Sequence, residues 1–425
     1  MMTKLSYPAL GESLYTTVLP NGLPVYVLQK PGYRRSFAVY AANYGGADRD
    51  FTLAGKKLHT PAGVAHYLEH KMFDTPDGDA LMMFSANGAN PNAFTSQAMT
   101  AYHFDGVDCF EENLRTLLSF VSVPYFTEES VQKERGIIGQ EIRMCEDNPD
   151  YAVYTAFMRC LFRSNPLRDS VAGTVESIGE ITPQVLYDCH KVFYAPSNMC
   201  LAVVGDVDPA LVEDTALSLL PPEKTELPAR DYGAPEGLLP VTSLTEARME
   251  VSAPNFLLGM KLGPTGTGTE ELRRRLLSGL ALRCLCGESS PFYLKHYESG
   301  LLNTTFASGT DYAAGEGIVT FEGESKDPRA VQTALSEEIL RIGREGFDPA
   351  LFRRQKRAAY GQRIRTLSRF SAMGTGLVEG AFAGFTMLDA FPVAEGITCD
   401  DASAWVREYL CPERMAMSVI YPREV

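Results

Sequence analysis

Apolar positions along this chain follow two rhythms. Short runs with strand character occupy 23–29 (LPVYVLQ), 36–42 (SFAVYAA), 92–104 and 200–204 (CLAVV). Leu19-Pro20-Asn21-Gly22 precedes the first run, and Asn-Gly is the pair favoured by a type I′ hairpin turn. A helical period takes over in two stretches. One begins near Pro61. The other runs from Thr127 to about 147, where Thr127 can cap the helix and Glu128 and Glu129 suit its positive end. Asn148-Pro149 should end that helix, because proline cannot continue it.

Periodicity fails over 221–244, a stretch rich in proline and charge that reads as a linker. The division expected from sequence is a domain at 1–222, a linker at 223–244 and a second domain at 245–425. The halves resemble each other. Ala195-Pro196-Ser197-Asn198-Met199 precedes one apolar strand, and Cys411-Pro412-Glu413-Arg414-Met415 precedes another at 416–420, with the prolines 216 positions apart. Residues 36–40 match 255–259 at nearly the same offset. The expected fold class is therefore α+β: two homologous repeats of about 200 residues, each a mostly antiparallel sheet with helices packed on one face.

Composition narrows the function classes. At 425 residues with 45% apolar and 22% charged positions, the chain can build sizeable cores. A formal charge of −14 disfavours nucleic acid as a partner. The N-terminal stretch has no apolar signal segment and no run is long enough to span a bilayer, so no membrane partner and a cytoplasmic location are expected. Nine scattered cysteines, an odd number, read as buried thiols rather than a disulfide framework.

The stretch with chemistry is His66-Tyr67-Leu68-Glu69-His70. On a helix, His66, Glu69 and His70 share one face. Two imidazoles at i and i+4 suit Zn²⁺, and a carboxylate between them can handle protons rather than bind metal. A catalytic zinc needs a third ligand from elsewhere. Glu134 and Glu141, seven residues apart on the 127–147 helix, share a face; one can bind metal while the other supports, with Ile137 and Ile138 helping to bury that face. His59, His103, His190 and His296 read as ordinary core or surface histidines.

The H-x-x-E-H motif followed by the Glu134–Glu141 helix resembles the inverted-motif zinc peptidases of the pitrilysin, insulysin and mitochondrial processing peptidase group. Leu19-Pro-Asn-Gly-Leu23, Gly63 through Phe73, Asn92-Ala-Phe-Thr-Ser96 and Ala195-Pro-Ser-Asn198 are similar to further segments of that group. The resemblance spans both halves and is closest to the group's short, two-repeat, zinc-bearing subunits. It implies one Zn²⁺ per chain, bound by His66, His70 and Glu141. Glu69 would be the general base, Glu134 a supporting residue, and Asn92, Ala93 and Phe94 the edge strand that holds a peptide substrate. It further implies an endopeptidase for peptides or small unfolded polypeptides, working inside a clamshell.

Members of the group that act alone carry an Arg and a Tyr, seven apart, in the second half. The matching positions here are Lys295 and Leu302, and a leucine donates no hydrogen bond. Either Tyr293 or Tyr297 substitutes, or a homologous partner chain supplies the pair, in a heterodimer or a homodimer. The competing expectations are a non-catalytic recognition subunit and a dedicated precursor-processing enzyme.

Overall fold

The computed structural model describes residues 2–264 and 266–423. Seven strands form the first sheet: β1 (Thr3–Tyr7), β2 (Glu12–Val18), β3 (Pro24–Gln29), β4 (Ser36–Ala42), β5 (Asn90–Thr95), β6 (Thr100–Gly106) and β7 (Met199–Gly205). Their order is β1-β2-β3-β7-β4-β6-β5. Only the β3–β7 pair is parallel. Five strands form the second sheet: β8 (Leu244–Met249), β9 (Asn255–Pro264), β10 (Ala307–Ala313), β11 (Glu316–Glu324) and β12 (Ala416–Pro422), in the order β8-β12-β9-β11-β10. There β12 pairs in parallel with β8 and antiparallel with β9, as β7 does with β3 and β4. The five-strand pattern therefore repeats, and the repeat read from 36–40, 199–204 and their later counterparts is the centre of each sheet.

The compact units do not follow chain order. One takes the segment ending at Ile142, Ser170–Tyr232 and Ile364–Leu388; the other takes Arg143–Asp169, Gly233–Arg363 and the segment from Asp389 onward. The crossing at 232–233 lies inside the expected linker. A linear division at 222 and 245 leaves out two exchanged segments, however, and each carries a helix. Helix α3 (Pro149–Leu161) packs on β12, β9 and β8, while α7 (Phe370–Ala383) packs on β7 and β4.

The reason lies in the strands. Every residue of β4 and of β7 is buried, so both faces need cover. Ala38, Tyr40 and Ala42 enter the large core of the first unit. Phe37 and Val39, on the alternate face, meet α7 at Gly374, where an added Cβ would lie 2.5 Å from the Phe37 ring. Helices on one face thus describe only part of the sheet; its central strands carry them on both.

Local chemistry explains two other departures. The 19–22 turn is not type I′, since Asn21 keeps a negative φ and only Gly22 is left-handed, at +90°. Gly22 N–H donates to the Leu19 carbonyl at 2.8 Å. The expected strand 92–104 is a hairpin, because Ser96 turns the chain: its N–H donates to Met99 O at 2.8 Å, and its hydroxyl accepts from the N–H groups of Ala98 and Met99. The cap on the long helix is as expected, with Thr127 Oγ1 accepting from Ser130 N–H. All nine cysteines are free thiols. No single described helix is long and apolar enough to cross a membrane.

Within the second unit, Glu236 ties down a loop, accepting from the backbone N–H groups of Arg163, Ser164 and Asn165 at 2.7, 2.7 and 2.8 Å. Partial burial pushes its pKa up, but these donors and the Ser164 hydroxyl outweigh that and hold it at about 2. The stabilisation is present above the unfolded carboxyl value of about 4.3 and is lost as pH falls toward 2. Glu236→Gln should cost roughly 1 kcal/mol at pH 7, small because the group is solvent-screened, with the gap to wild type closing at acid pH. Urea denaturation at several pH values measures it.

Candidate functional site

Helix α1 (Val64–Met72) starts at Gly63, whose φ of +97° suits glycine and whose Cβ position is closed by Ala172 O at 2.6 Å. The Ser177 hydroxyl donates to Ala62 O beside it. Val64, Ala65, Leu68 and Met72 anchor the helix in the core, and the Tyr67 hydroxyl donates to Val131 O. Val131 belongs to α2 (Glu128–Glu146), so this bond sets the distance between the two helices that carry the candidate residues. Lys71, fully buried, is ion-paired to Asp74. Gly63→Ala forces a left-handed alanine against a carbonyl, so a loss of about 1–3 kcal/mol is expected, read as a lower Tm.

This anchoring leaves His66, Glu69 and His70 on the outer face of α1. His66 Nε2 stands 3.5 Å from Glu141 Oε1, and His70 Nε2 stands 3.5 Å from Glu141 Oε2. One ligand atom from each of the three residues lies within 4.8 Å of the others. Ligands about 2.1 Å from a tetrahedral ion sit roughly 3.4 Å apart, so the donor set fits zinc in spacing and in type. His70 Nδ1 lies 2.9 Å from Glu134 Oε1. With that nitrogen donating to the carboxylate, the Nε2 lone pair faces Glu141.

Electrostatics agree with a cation-ready pocket. Burial lowers the pKa of His70, but the Glu134 hydrogen bond and the charges of Glu134, Glu141 and Glu69 outweigh it and raise the value above normal. The hydrogen bond from His66, opposed by partial burial and helped by the charge of His70, holds Glu141 below the usual carboxylate range. Three carboxylates thus surround two imidazoles, and a divalent cation would offset the negative surplus.

Glu69 is held from the side by Thr95, whose hydroxyl donates to Glu69 Oε2 at 2.5 Å. Thr95 ends β5, the edge of the seven-stranded sheet, so the same strand carries Asn92, Ala93 and Phe94 and steadies the acid. Sequence reasoning gave Thr95 no role, although it sits inside the Asn92–Ser96 segment. Asn92 turns its side chain onto the Ala93 N–H, at 2.8 Å. Ile137 does not help bury the acidic face as expected; it is exposed, and Ile138 alone packs inward.

The remaining histidines lie apart from this cluster. His59 is bonded to Asp50, and buried His190 is bonded to Val121 O with its pKa pushed down to about 4 by burial. In the second unit Leu302 is buried, the Tyr293 hydroxyl donates to Asn303 O, and Tyr297 is exposed. Cys284 and Cys286 are buried free thiols.

Comparison with known proteins brings the two halves under one heading. Residues 57–175 match the family described as Insulinase (Peptidase family M16), and residues 180–359 match the Peptidase M16 inactive domain. The uncharacterized zinc protease YmfH of Bacillus subtilis is 35% identical over 430 residues, covering 100% of both chains. An uncharacterized zinc protease of Mycobacterium leprae is 28% identical, over 79% of this chain and 74% of its own. Among solved structures, an M16-like protein from Alicyclobacillus acidocaldarius superposes with a TM-score of 0.93 at 30% identity, covering 99% of this chain and 100% of its own. Pitrilysin shares the fold, with a TM-score of 0.79 at 15% identity; this chain spans 47% of it.

Proposed function

Because the chain belongs to peptidase family M16, we propose that it is a zinc-dependent endopeptidase acting on peptides or small unfolded polypeptides. One observation carries the reading: both Nε2 atoms of the α1 histidines converge on the Glu141 carboxylate, with Glu69 pinned beside them. His66, His70 and Glu141 would hold the ion, and Glu134 would keep His70 in the tautomer that binds it. A bound zinc supplies Lewis acidity, polarising a carbonyl and making water a better nucleophile.

The residues of this chain would do the rest. Glu69 would take the proton of the attacking water and deliver it to the leaving amine. The Thr95 hydroxyl would fix which Glu69 oxygen is free for that transfer. The open edge of β5 offers unpaired backbone groups, so a substrate could add there as a strand, aligned by Asn92, Ala93 and Phe94.

The set His66, Glu69, His70 and Glu141 is complete, which favours catalysis over a purely structural subunit. Leu302, buried and apolar, supports a working centre completed by a homologous partner that supplies Arg and Tyr within a clamshell. The expected result is slow cleavage of a quenched fluorogenic peptide by the purified chain, abolished by a zinc chelator and accelerated at least about tenfold by such a partner. Full-rate cleavage that a partner leaves unchanged would remove the partner from the account.

A further inference from the structure

Helix α6 (Pro349–Thr366) follows α4 (Thr269–Cys286) and α5 (Pro328–Glu345) in the chain and differs from both in its charge. Its sequence, PALFRRQKRAAYGQRIRT, holds six basic residues and no acidic one, in a chain of formal charge −14. Leu351, Phe352, Gln355 and Ala359 form its buried face. Helical spacing puts Arg353 and Arg357 in one row on the other side, with Arg354 alongside; these three arginines are exposed.

Several arginines of other helices have acidic partners. Arg273 pairs with Asp401, Arg274 with Glu270, Arg275 with Glu271, and Arg341 with both Glu338 and Glu345. On α6, Lys356 donates to the carbonyls of Glu395 and Ile397, and half-buried Arg363 faces Arg283. Among the described residues, Arg353, Arg354 and Arg357 make no side-chain hydrogen bond or ion pair. Asp348 faces Arg353 and Arg354, but its oxygens are engaged by the N–H groups of Ala350 and Leu351. In a chain with surplus carboxylates, the guanidinium groups of this stripe form no ion pair among the described residues, and Asp348 is a carboxylate that feels their charge.

We propose that this stripe is a docking surface for an acidic, extended polypeptide segment; that the segment belongs to a substrate rests on the peptidase reading. Residues i and i+4 on a helix rise by about 6 Å, close to the roughly 6.6 Å between same-side residues of an extended chain, so alternate acidic residues could meet successive arginines. The guanidinium fork takes carboxylates in pairs of hydrogen bonds. A nucleic acid or an anionic bilayer would face the negative surplus of the whole molecule. A short acidic segment stays within about one Debye length, roughly 8 Å, of the stripe.

The test uses the full-length Glu69→Gln chain and a labelled peptide of about ten residues with glutamate at alternate positions, against its glutamine counterpart, read by fluorescence anisotropy. The acidic peptide should bind, weaken with added salt, and lose about tenfold or more in affinity in the Arg353→Glu/Arg357→Glu variant. Arg115→Glu, an arginine paired with Glu111 on another helix, should leave binding unchanged. Equal binding of the glutamine peptide, indifference to the double reversal, or tighter binding of single-stranded DNA or anionic vesicles at the stripe would overturn the proposal. In the active chain the double reversal should raise KM for an acidic substrate and spare kcat and neutral substrates. If the wild type cleaves nothing even with a homologous partner present, the peptidase reading fails, while the binding arm still decides the stripe.

Discussion

Glu69→Gln should lower kcat for peptide cleavage by about a thousandfold while leaving zinc content and Tm unchanged. General-base transfer contributes on the order of 10² to 10⁴ to such rates, and the amide cannot accept the proton that the carboxylate takes. The local structure should survive, because an amide oxygen can still accept the Thr95 hydroxyl that now lies 2.5 Å from Glu69 Oε2. Glu69 lies between two histidines whose Nε2 atoms point at Glu141 rather than at it, so the substitution separates proton handling from metal binding. Retained activity would sink the assignment of Glu69. Loss of zinc together with activity would instead make Glu69 a ligand.

The second large effect concerns the two glutamates of α2. Glu141→Ala should abolish stoichiometric zinc binding and reduce cleavage to background, since its carboxylate is the only group facing both histidine Nε2 atoms among the described residues. Glu134→Gln should weaken zinc by about 10- to 100-fold without preventing it, the size expected when an imidazole loses the acceptor that orients it. Equilibrium dialysis of zinc against both variants gives the ranking. The reverse order would exchange their roles.

Spacing alone could place both glutamates on one face of a helix but could not say which one meets the metal. That depends on the height of α2 against α1, set by the Tyr67 hydroxyl on Val131 O, a contact between residues 64 positions apart. The strands at 36–42 and 199–205 were legible because they are apolar on both faces. The same property demanded a second covering helix, and no local pattern tells that α7 would come from the other half of the chain. The hairpin of β5 and β6 read as one strand because its turn, Ser96-Gln97-Ala98-Met99, has neither glycine nor proline and is held by the Ser96 hydroxyl. Thr95 went unassigned for a related reason. A threonine in a strand is ordinary, and only its bond to Glu69 gives it a place in the site.

The measurement that tests the central claim most directly is anomalous diffraction at the zinc edge from wild-type crystals, paired with metal analysis of the same protein. The account predicts one zinc per chain, within about 2.0–2.2 Å of His66 Nε2, His70 Nε2 and a Glu141 oxygen, with no protein atom in the fourth position. A cleaving enzyme whose zinc lies elsewhere, or that carries none at these three residues, would contradict it.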